Sequence, residues 1–586
     1  MKRIISLILI GAVLFSFISC ATRTSSRAPT YTYLYNNGES HQAIGEYLGG
    51  LLSEVGIRLN LKNQEWGTFL STRKSGNFTI ARNGWVADYS DPISFLDMWT
   101  SDSGNNDVGF GKNEHAKVSI YNIDLRDYGY DLYVKGGTWA QTYDELIAVI
   151  KKCTDEEIRF SLMHLAEDMI MDTGCIMPIY FYTDIYMIDK NIDGFYSSPL
   201  GYKFFKNCRY LDKDSISVSL SSEPSSMDPA FSSTVDSATM ISHLFSGLAK
   251  WDTDDSGNAV LAADCAEKLV EGVENEDGSI KYIYQLKNGI KWSDGSSVTA
   301  YDFEFAWKRA ASKELGADYG YMFEVIKGYD EGNLAVEAVS ESVLEVTLET
   351  RISYWNELLA FPTFMPVKSD AVKNEGWATD AKSYISNGAY VMESWEHNGC
   401  ISIKENEYNR EFNLVSMPRV KFYLSDDANN MLTNFKNRSW QLIDTIPTNE
   451  IKALKESYPD EVKTIGQIGT YYLSFSINTN ILASDENLSA NEREIASSEI
   501  RKAISLLIDR QYICDYITKA GQIPASSFVA LGIKNPDGSE FYETAGNNIG
   551  FAGYFDVSYN AYRKNAEYAL SVLEKYYGFK KNIKKY

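Results

Sequence analysis

Histidine is scarce in this sequence. The 586 residues include five, His41, His115, His164, His243 and His397. None of them lies in an H-E-x-x-H motif or in another metal-ligand spacing. The chain also lacks a G-x-S-x-G motif, a P-loop and a G-x-G-x-x-G motif. We therefore expect no metal and no cofactor, and nothing in the sequence supports an enzyme.

Paired cysteines are absent as well. Beyond Cys20 there are six cysteines, and none of them forms a C-x-x-C pair. A structural zinc site or a redox motif is therefore unsupported. An exported protein can oxidise its cysteines, but spacing alone cannot assign partners. We expect isolated buried thiols at Cys153, Cys175, Cys208, Cys265, Cys400 and Cys514.

Positively charged residues are fewer than negatively charged ones. Lysine and arginine number 56 against 79 aspartates and glutamates, so the formal net charge is -23. An acidic surface repels nucleic acid and anionic lipid. We therefore expect no nucleic-acid partner.

Long apolar runs are missing after the first twenty residues. Lys2 and Arg3 precede an apolar stretch at residues 4–18, which ends in Ser19 and Cys20. This stretch is short for a transmembrane helix. A small residue before Cys20 resembles a bacterial lipobox, in which the cysteine becomes the lipidated first residue. We expect a lipoprotein signal peptide at residues 1–20, a tether at residues 21–29, and membrane contact only through the lipid. Phe17 departs from the usual leucine, so an uncleaved anchor or plain secretion is the alternative.

The length and the periodicity indicate an α/β protein of two or more lobes. A chain of 586 residues is too long for one compact core. Residues 30–35 alternate like a strand, apolar residues at helical spacing follow from Ile44 to Val55, and residues 57–61 resemble a second strand. This β-α-β order favours an α/β lobe. Thr299 and Asp302 predict a capping box for a further helix.

Three sequence segments carry a family resemblance. The first is residues 63–66 (NQEW) with residues 80–92 (IARNGWVADYSDP). The second is residues 223–229 (EPSSMDP) with residues 244–248 (LFSGL), and the third is residues 286–294 (LKNGIKWSD). Together they resemble the oligopeptide-binding proteins of ABC importers, the periplasmic solute-binding family 5 of peptide and nickel binders. The resemblance implies a two-lobe periplasmic-binding fold of the class II (cluster C) type, with a hinge and an interlobe cleft.

The order of these segments differs from the order in the family. Family members begin with the stretch seen here at Ile216 and end with the stretch seen here near Tyr210. The sequence therefore indicates a circular permutation. One lobe would combine residues 30–171 with 471–586, and the other would comprise residues 172–470. A splice of two neighbouring paralogues or a sequence-assembly artefact would give the same order.

Within the resemblance, Asp88 matches the aspartate that meets the α-amino group of the ligand. An ordinary solvated aspartate in a turn is the structural alternative. Arg82 and His41 match positions that meet ligand carboxylates. Arg82 could equally be a structural ion-pair partner, and His41 a helix-cap residue.

The remaining predicted ligand contacts also follow from the resemblance. Trp66 and Trp85 match pocket walls, although core packing is the default for tryptophan. Gly84 and Val86 belong to the same motif. Glu223 is expected on the opposing strand. Tyr319, and Asn387 within the smaller matching segment 386–390 (SNGAY), are expected to face the cleft from the other lobe.

The function that the resemblance implies is the capture of short peptides. Main-chain pairing with the peptide would give affinity without reading side chains. The implied partners are short peptides and ABC permease subunits, and we expect a monomer. The rivals are a binder of the same fold for another solute, such as a nickel complex or an oligosaccharide, and a non-transporting surface, signalling or decayed permuted copy.

Overall fold

The structure is a computed structural model that describes residues 29–119, 122–134, 137–254, 257, 259–482, 488–548 and 550–578. The predicted signal peptide, the lipidation site at Cys20 and residues 21–28 of the predicted tether lie outside the described residues. Among the described helices, none combines the length and the apolar character that crossing a membrane requires.

Strands and helices alternate along much of the chain. The strands are β1 (Thr30–Asn36), β2 (Arg58–Gln64), β3 (Ile80–Val86), β4 (Ile123–Asp124), β5 (Tyr133–Val134), β6 (Ile176–Ile188), β7 (Ile192–Asp193), β8 (Tyr196–Ser197), β9 (Lys203–Phe204), β10 (Arg209–Tyr210), β11 (Ser215–Leu220), β12 (Ala249–Thr253), β13 (Ala259–Ala263), β14 (Val273–Glu274), β15 (Ile280–Gln285), β16 (Val336–Ser340), β17 (Val343–Leu348), β18 (Tyr390–Glu396), β19 (Cys400–Glu405), β20 (Arg419–Leu424), β21 (Leu442–Ile443), β22 (Val462–Phe475) and β23 (Ile523–Pro524). The α-helices are α1 (Glu39–Glu54), α2 (Trp66–Lys74), α3 (Ile93–Leu96), α4 (Trp139–Lys152), α5 (Glu156–Asp172), α6 (Val235–Leu244), α7 (Ala300–Ala310), α8 (Trp355–Leu358), α9 (Ser369–Val372), α10 (Ala428–Lys436), α11 (Ile451–Ser457), α12 (Ala490–Leu506), α13 (Arg510–Tyr512), α14 (Phe541–Thr544) and α15 (Tyr559–Tyr577).

The predicted β-α-β unit at the start of the described chain is present. β1 and β2 are parallel neighbours, with Tyr33 opposite Leu61. Helix α1 connects them and buries Ile44 and Leu48 in the core. Its end is followed by Gly56 at φ +76°, a left-handed conformation that glycine adopts without a steric penalty.

One mixed sheet runs through the molecule. Within the described residues it has eleven strands in the order β18-β19-β20-β11-β21-β6-β22-β3-β1-β2, with β23 beside β6. The long strands β6 and β22 stand at its centre, and each contacts both halves of the sheet. β22 pairs with β6 from Val462 to Ser474, with an interruption of the register between Gly466 and Thr470. The predicted lobe boundaries, at residues 171/172 and 470/471, stay a prediction.

A smaller antiparallel sheet accompanies helix α7. Its order is β14-β15-β17-β16. The predicted capping box of α7 is confirmed, because the Asp302 carboxylate accepts a hydrogen bond from the main-chain N–H of Thr299 at 2.7 Å. This start places Trp307 in the core, where its indole N–H donates to the carbonyl of Phe364 at 2.8 Å.

The six described cysteines are free thiols. Cys153, Cys175, Cys208, Cys265 and Cys514 are buried, and Cys400 is half-buried. The prediction of isolated, largely buried thiols is therefore confirmed. Packing and hydrogen bonding hold the described residues together without disulfide cross-links.

Candidate functional site

Two neighbouring cavities lie beside strand β3. We name them the inner chamber, about 250 Å³, and the outer chamber, about 790 Å³. Trp66, Arg82 and Asp236 line both chambers, so the two are direct neighbours. The inner chamber is bounded on one side by residues 84–88 and on the other by Tyr202, Tyr319 and Phe361.

Asp88 lies at the end of β3 in the inner chamber. Its side chain is buried, and the residue is 6% exposed. The Tyr319 hydroxyl donates to Asp88 Oδ1 at 3.0 Å from across the cleft. Oδ2 is buried without a hydrogen-bond partner among the described residues. A buried carboxylate oxygen without a partner is costly, so this atom marks a place where a ligand donor would be stabilised.

The electrostatics of Asp88 agree with that role. Burial raises its pKa well above the usual range, the Tyr319 hydrogen bond opposes the rise, and the nearby Asp97 adds to it. A ligand ammonium at Oδ2 would supply the missing positive charge and a donor together. The solvated-turn alternative does not describe this environment.

Arg82 stands at the junction of the two chambers. Its Nε donates to Asn36 Oδ1 at 2.6 Å. Its guanidinium lies over the rings of Trp66 and Phe69, at 5.2 and 5.1 Å from their centroids. Among the described residues, no carboxylate forms an ion pair with Arg82, so its charge is available to an anionic ligand group.

The two predicted tryptophan walls both line the inner chamber. The Trp85 indole N–H donates to the carbonyl of Ser94 at 2.7 Å, which fixes the ring next to Tyr319 at 6.4 Å between centroids. Trp66 begins α2 and lines both chambers, with its ring held by the Arg82 stack. Flat rings in fixed positions suit a wall that meets varied ligand groups.

Gly84 and Val86 form the strand edge between these walls. A Cβ at Gly84 would lie 2.2 Å from the Tyr182 hydroxyl oxygen. Only glycine leaves Tyr182 in its present position against the strand. Val86 pairs with Gly469 of β22 and also lines the inner chamber.

His41 lines the outer chamber. Its ring stacks on Tyr471 with 5.7 Å between centroids, and its Nδ1 lies 3.3 Å from the Tyr471 hydroxyl. Burial, followed by the charge of Arg82, lowers its pKa well below the usual range. His41 is therefore a neutral wall residue. The cap position of α1 belongs to Gly38, so the helix-cap alternative is wrong.

Glu223 lines the outer chamber from the loop that follows β11, so the prediction that it lies on a strand is wrong. Its Oε1 accepts from the indole of Trp395 at 2.9 Å and lies 2.8 Å from His397 Nδ1. Its Oε2 accepts from the main-chain N–H of Asn398 at 2.8 Å. These local contacts hold Glu223 in place and use both of its oxygens.

Asn387 does not face the cleft, and its predicted role needs correction. It is 1% exposed, and its side-chain amide bonds both main-chain groups of Ser246 at 2.9 Å. It lines neither chamber. These hydrogen bonds hold the loop at Ser246 in place. The sequence motif around residue 387 cannot by itself distinguish this structural role from ligand contact.

Sequence reasoning missed several chamber residues. Tyr182, on β6, and Tyr202 line the inner chamber, and Asp236 lines both chambers. The Ser222 hydroxyl donates to Asp236 at 2.5 Å, and burial, then Asp444, raises the pKa of Asp236 to about 7. The alternating tyrosines of β6 were a usable signal, whereas Asp236 follows a Ser/Thr loop without a motif.

Comparison with known proteins identifies the family. The sequence model of the bacterial extracellular solute-binding proteins, family 5 (Middle), matches residues 19–107 and 264–581. The oligopeptide-binding protein OppA of Bacillus subtilis is 28% identical over 56% of this chain and 59% of its own length. The dipeptide-binding protein DppE of the same organism is 27% identical over 57% and 58%, respectively. The probable deoxycholate-binding protein YgiS of Escherichia coli is 26% identical over 55% and 58%. The chain thus spans about three fifths of the length of these curated relatives.

Solved structures agree on the fold. The murein tripeptide binding protein MppA of Escherichia coli superposes with a TM-score of 0.50, at 22% identity over 61% of this chain and 66% of that one. The substrate-binding domain of an oligopeptide ABC transporter from Bacillus anthracis gives 0.50, at 23% identity over 63% and 68%. The predicted two-lobe α/β fold is confirmed, and the permutation stays a prediction. The chain belongs to the bacterial extracellular solute-binding proteins of family 5, which bind solutes rather than transform them.

Proposed function

We propose that this protein captures short peptides with a free amino terminus. The observation that carries the proposal is Asp88 Oδ2, a buried carboxylate oxygen that has no hydrogen-bond partner among the described residues and belongs to a chamber wall. The ammonium of a peptide would pair with it, while Tyr319 keeps Oδ1 in place. The ligand would be about two to five residues long and would be bound mainly through its backbone.

Relatives support the peptide class. Two of the similar proteins are named as oligopeptide- and dipeptide-binding. A third is named as a probable deoxycholate binder, which makes another solute the second candidate. Deoxycholate carries a carboxylate and no amine. The partnerless oxygen of Asp88 therefore favours the peptide over a bile acid.

Capture outside the cytoplasm and delivery to an ABC permease complete the proposal. The apolar run that ends in Ser19-Cys20 supports export and lipidation at Cys20, with the folded part of the chain working as a monomer at the membrane face. Mass spectrometry of the mature amino terminus should find a diacyl or triacyl Cys20. An unmodified start well beyond Cys20 would contradict the anchor.

The circular permutation is also a proposal, and two contacts support it. The junction of the former termini would lie at Leu211, which is exposed and forms a tight turn at φ +52°, closed by a hydrogen bond from Lys213 N to Tyr210 O at 3.0 Å. At the other end, α15 reaches back to strand β1 through Tyr577 and Tyr31. The predicted proximity of Tyr586 to Pro29 falls outside the described residues, because Tyr586 is not among them.

Native mass spectrometry tests the peptide proposal. The protein is purified without denaturation, its bound mass is measured, and the ligand is released and sequenced by fragmentation. We expect a mixture of short peptides with free amino termini. A single non-peptide ligand in every preparation would contradict the proposal.

A further inference from the structure

Nearly all the charged side chains that line the outer chamber are acidic. Seven carboxylates line it, and among its described lining residues Arg82 is the sole lysine or arginine. The carboxylates come from separate parts of the chain: Glu39, Glu65, Glu223, Asp236, Asp426, Asp427 and Asp444.

No lysine or arginine of the described residues forms a direct ion pair with these carboxylates, although the charge of nearby Lys203, which pairs with Asp184, lowers the pKa of Asp236. Their hydrogen bonds come from neutral groups, such as the hydroxyls of Ser219 and Ser221 on Asp444 at 2.6 and 2.9 Å. The one basic side chain among the described residues that contacts any of the seven directly is His397, beside Glu223. The inner chamber differs, because its Arg73 and Lys74 are paired with Asp107 and Asp318.

The one cation of the outer chamber is held away from the acids. Arg82 bonds the neutral Asn36 and stacks on Trp66, at the junction with the inner chamber. The acidic wall thus keeps its negative potential in a confined volume, where field lines concentrate. Burial is the main cause of the raised pKa of Asp236, and the neighbouring Asp444 adds to it.

The acidic wall adjoins the inner chamber and is partly exposed to solvent, at Glu39, Glu65, Asp426 and Asp427. The outer chamber shares Trp66, Arg82 and Asp236 with the inner chamber, where the buried Asp88 presents its partnerless oxygen. A peptide held by its amino group at Asp88 would direct later residues past Arg82 and into the outer chamber.

We propose that the outer chamber selects peptides that carry a lysine or arginine side chain after the amino-terminal residues. This inference rests on the proposed peptide function and names its substrate class. A cationic side chain would supply the counter-charge that the wall lacks, a neutral one would leave the wall unchanged, and an acidic one would be repelled.

Calorimetry with matched tetrapeptides tests the inference. The peptides are alanine except at position three or four, which is lysine, norleucine or glutamate. Norleucine keeps the apolar stem of lysine without the charge. For at least one position we expect lysine to bind about tenfold tighter than norleucine, and glutamate to bind more weakly than norleucine. The lysine preference should shrink when salt is raised from about 0.05 to 0.5 M, because exposed charges are screened.

Variants locate the effect. Asp444→Asn and the exposed Asp426→Asn each remove one charge of the wall and keep a hydrogen-bond acceptor. We expect each to lower the ratio of lysine to norleucine affinity at least about threefold. Glu271→Gln is the matched control, because its side chain is 99% exposed and lies outside both chambers. This control should leave the ratio unchanged.

The outcomes separate the two proposals. Equal binding of lysine and norleucine peptides would overturn the charge selection and leave the peptide function standing. A lysine preference that neither wall variant reduces would overturn the assignment to this chamber. No binding of any peptide would overturn the proposed function, and this inference with it.

Discussion

Tyr31, on the first described strand, and Tyr577, at the end of the last helix, are joined by a hydrogen bond between hydroxyl oxygens 2.9 Å apart. The Tyr577 hydroxyl also donates to the carbonyl of Ile481 at 3.0 Å, so the three groups form a short chain. The two ends of the described chain therefore meet on one part of the fold, although 546 positions separate the two tyrosines. Termini that lie close together are what a permuted chain requires.

Reopening the chain at the other junction tests the permutation. A variant would begin at Asp212, continue to Gly578, pass through a short flexible linker to Pro29 and end at Tyr210. Because Leu211 lies in an exposed turn, the break should cost little, and we expect the melting temperature to stay within about 5 °C. Differential scanning calorimetry measures it. Aggregation or loss of a cooperative transition would contradict the proposal.

Tyr319→Phe should weaken peptide binding without unfolding the protein. The substitution keeps the ring and removes the one hydroxyl that donates to Asp88 across the cleft. This hydrogen bond favours the ionised form of Asp88, so without it the carboxyl holds a proton more readily and we expect affinity for a ligand ammonium to fall by roughly tenfold. Titration calorimetry measures the loss. Tyr321→Phe, at the next tyrosine along the chain, is the comparison variant, and an equal loss in both would contradict a specific role for Tyr319.

Gly84→Ala should obstruct the inner chamber. The new methyl group would approach the Tyr182 hydroxyl to 2.2 Å and force that ring out of place. Overpacking of this kind costs about 1–3 kcal/mol, and here part of the cost should appear in ligand affinity. Adding Tyr182→Phe removes the clashing oxygen and should restore part of the binding. Unchanged affinity in the single variant would show that this strand edge does not face the ligand.

The placement of the site residues shows which of them could be predicted from the sequence. Asp88, Trp66, Trp85 and Arg82 lie within two short motifs, and the structure brings all four to the inner chamber. Their convergence was predictable because neighbouring strand and helix residues stay close in any compact lobe.

The other residues depended on packing between distant segments. Asn387 lies in a smaller matching segment, residues 386–390, and its amide bonds Ser246 rather than facing the cleft. Asp236, in the first turn of α6, and Tyr202, in the loop between β8 and β9, reach the chambers only through the packing of segments that are distant in sequence. Local periodicity does not predict such packing, so these residues could not be assigned from the sequence.

A buried carboxylate outside the cleft gives a pH prediction for stability. Glu167 is fully buried in α5, and its Oε1 accepts from the main-chain N–H groups of Phe528 and Val529 at 2.8 Å each. Burial raises its pKa to about 8, and the neighbouring Asp168 adds to the rise. Between the ordinary pKa of a glutamate and about pH 8, Glu167 is therefore protonated in the folded state and ionised in the unfolded chain.

The sign follows from proton linkage. Because the folded state binds more protons between the unfolded and folded pKa values, stability is greatest below the lower value and falls as pH rises through about 8. From about pH 6 to pH 9 this group should cost about 3 kcal/mol. Urea unfolding at both values should show a smaller fall for Glu167→Gln, which stays neutral and still accepts both N–H groups. Identical pH dependence of the two proteins would contradict the assignment.

The clamp between Asp88 and the peptide amino group is the central claim, and paired calorimetry measures it most directly. One peptide of about three to four residues is titrated with a free amino terminus and again after N-acetylation, against the wild type and Asp88→Asn. The account predicts that acetylation costs the wild type about 2–5 kcal/mol, the range for removing one partner of a buried charge pair, and costs Asp88→Asn far less. Equal affinity of the free and acetylated peptides for the wild type would contradict it.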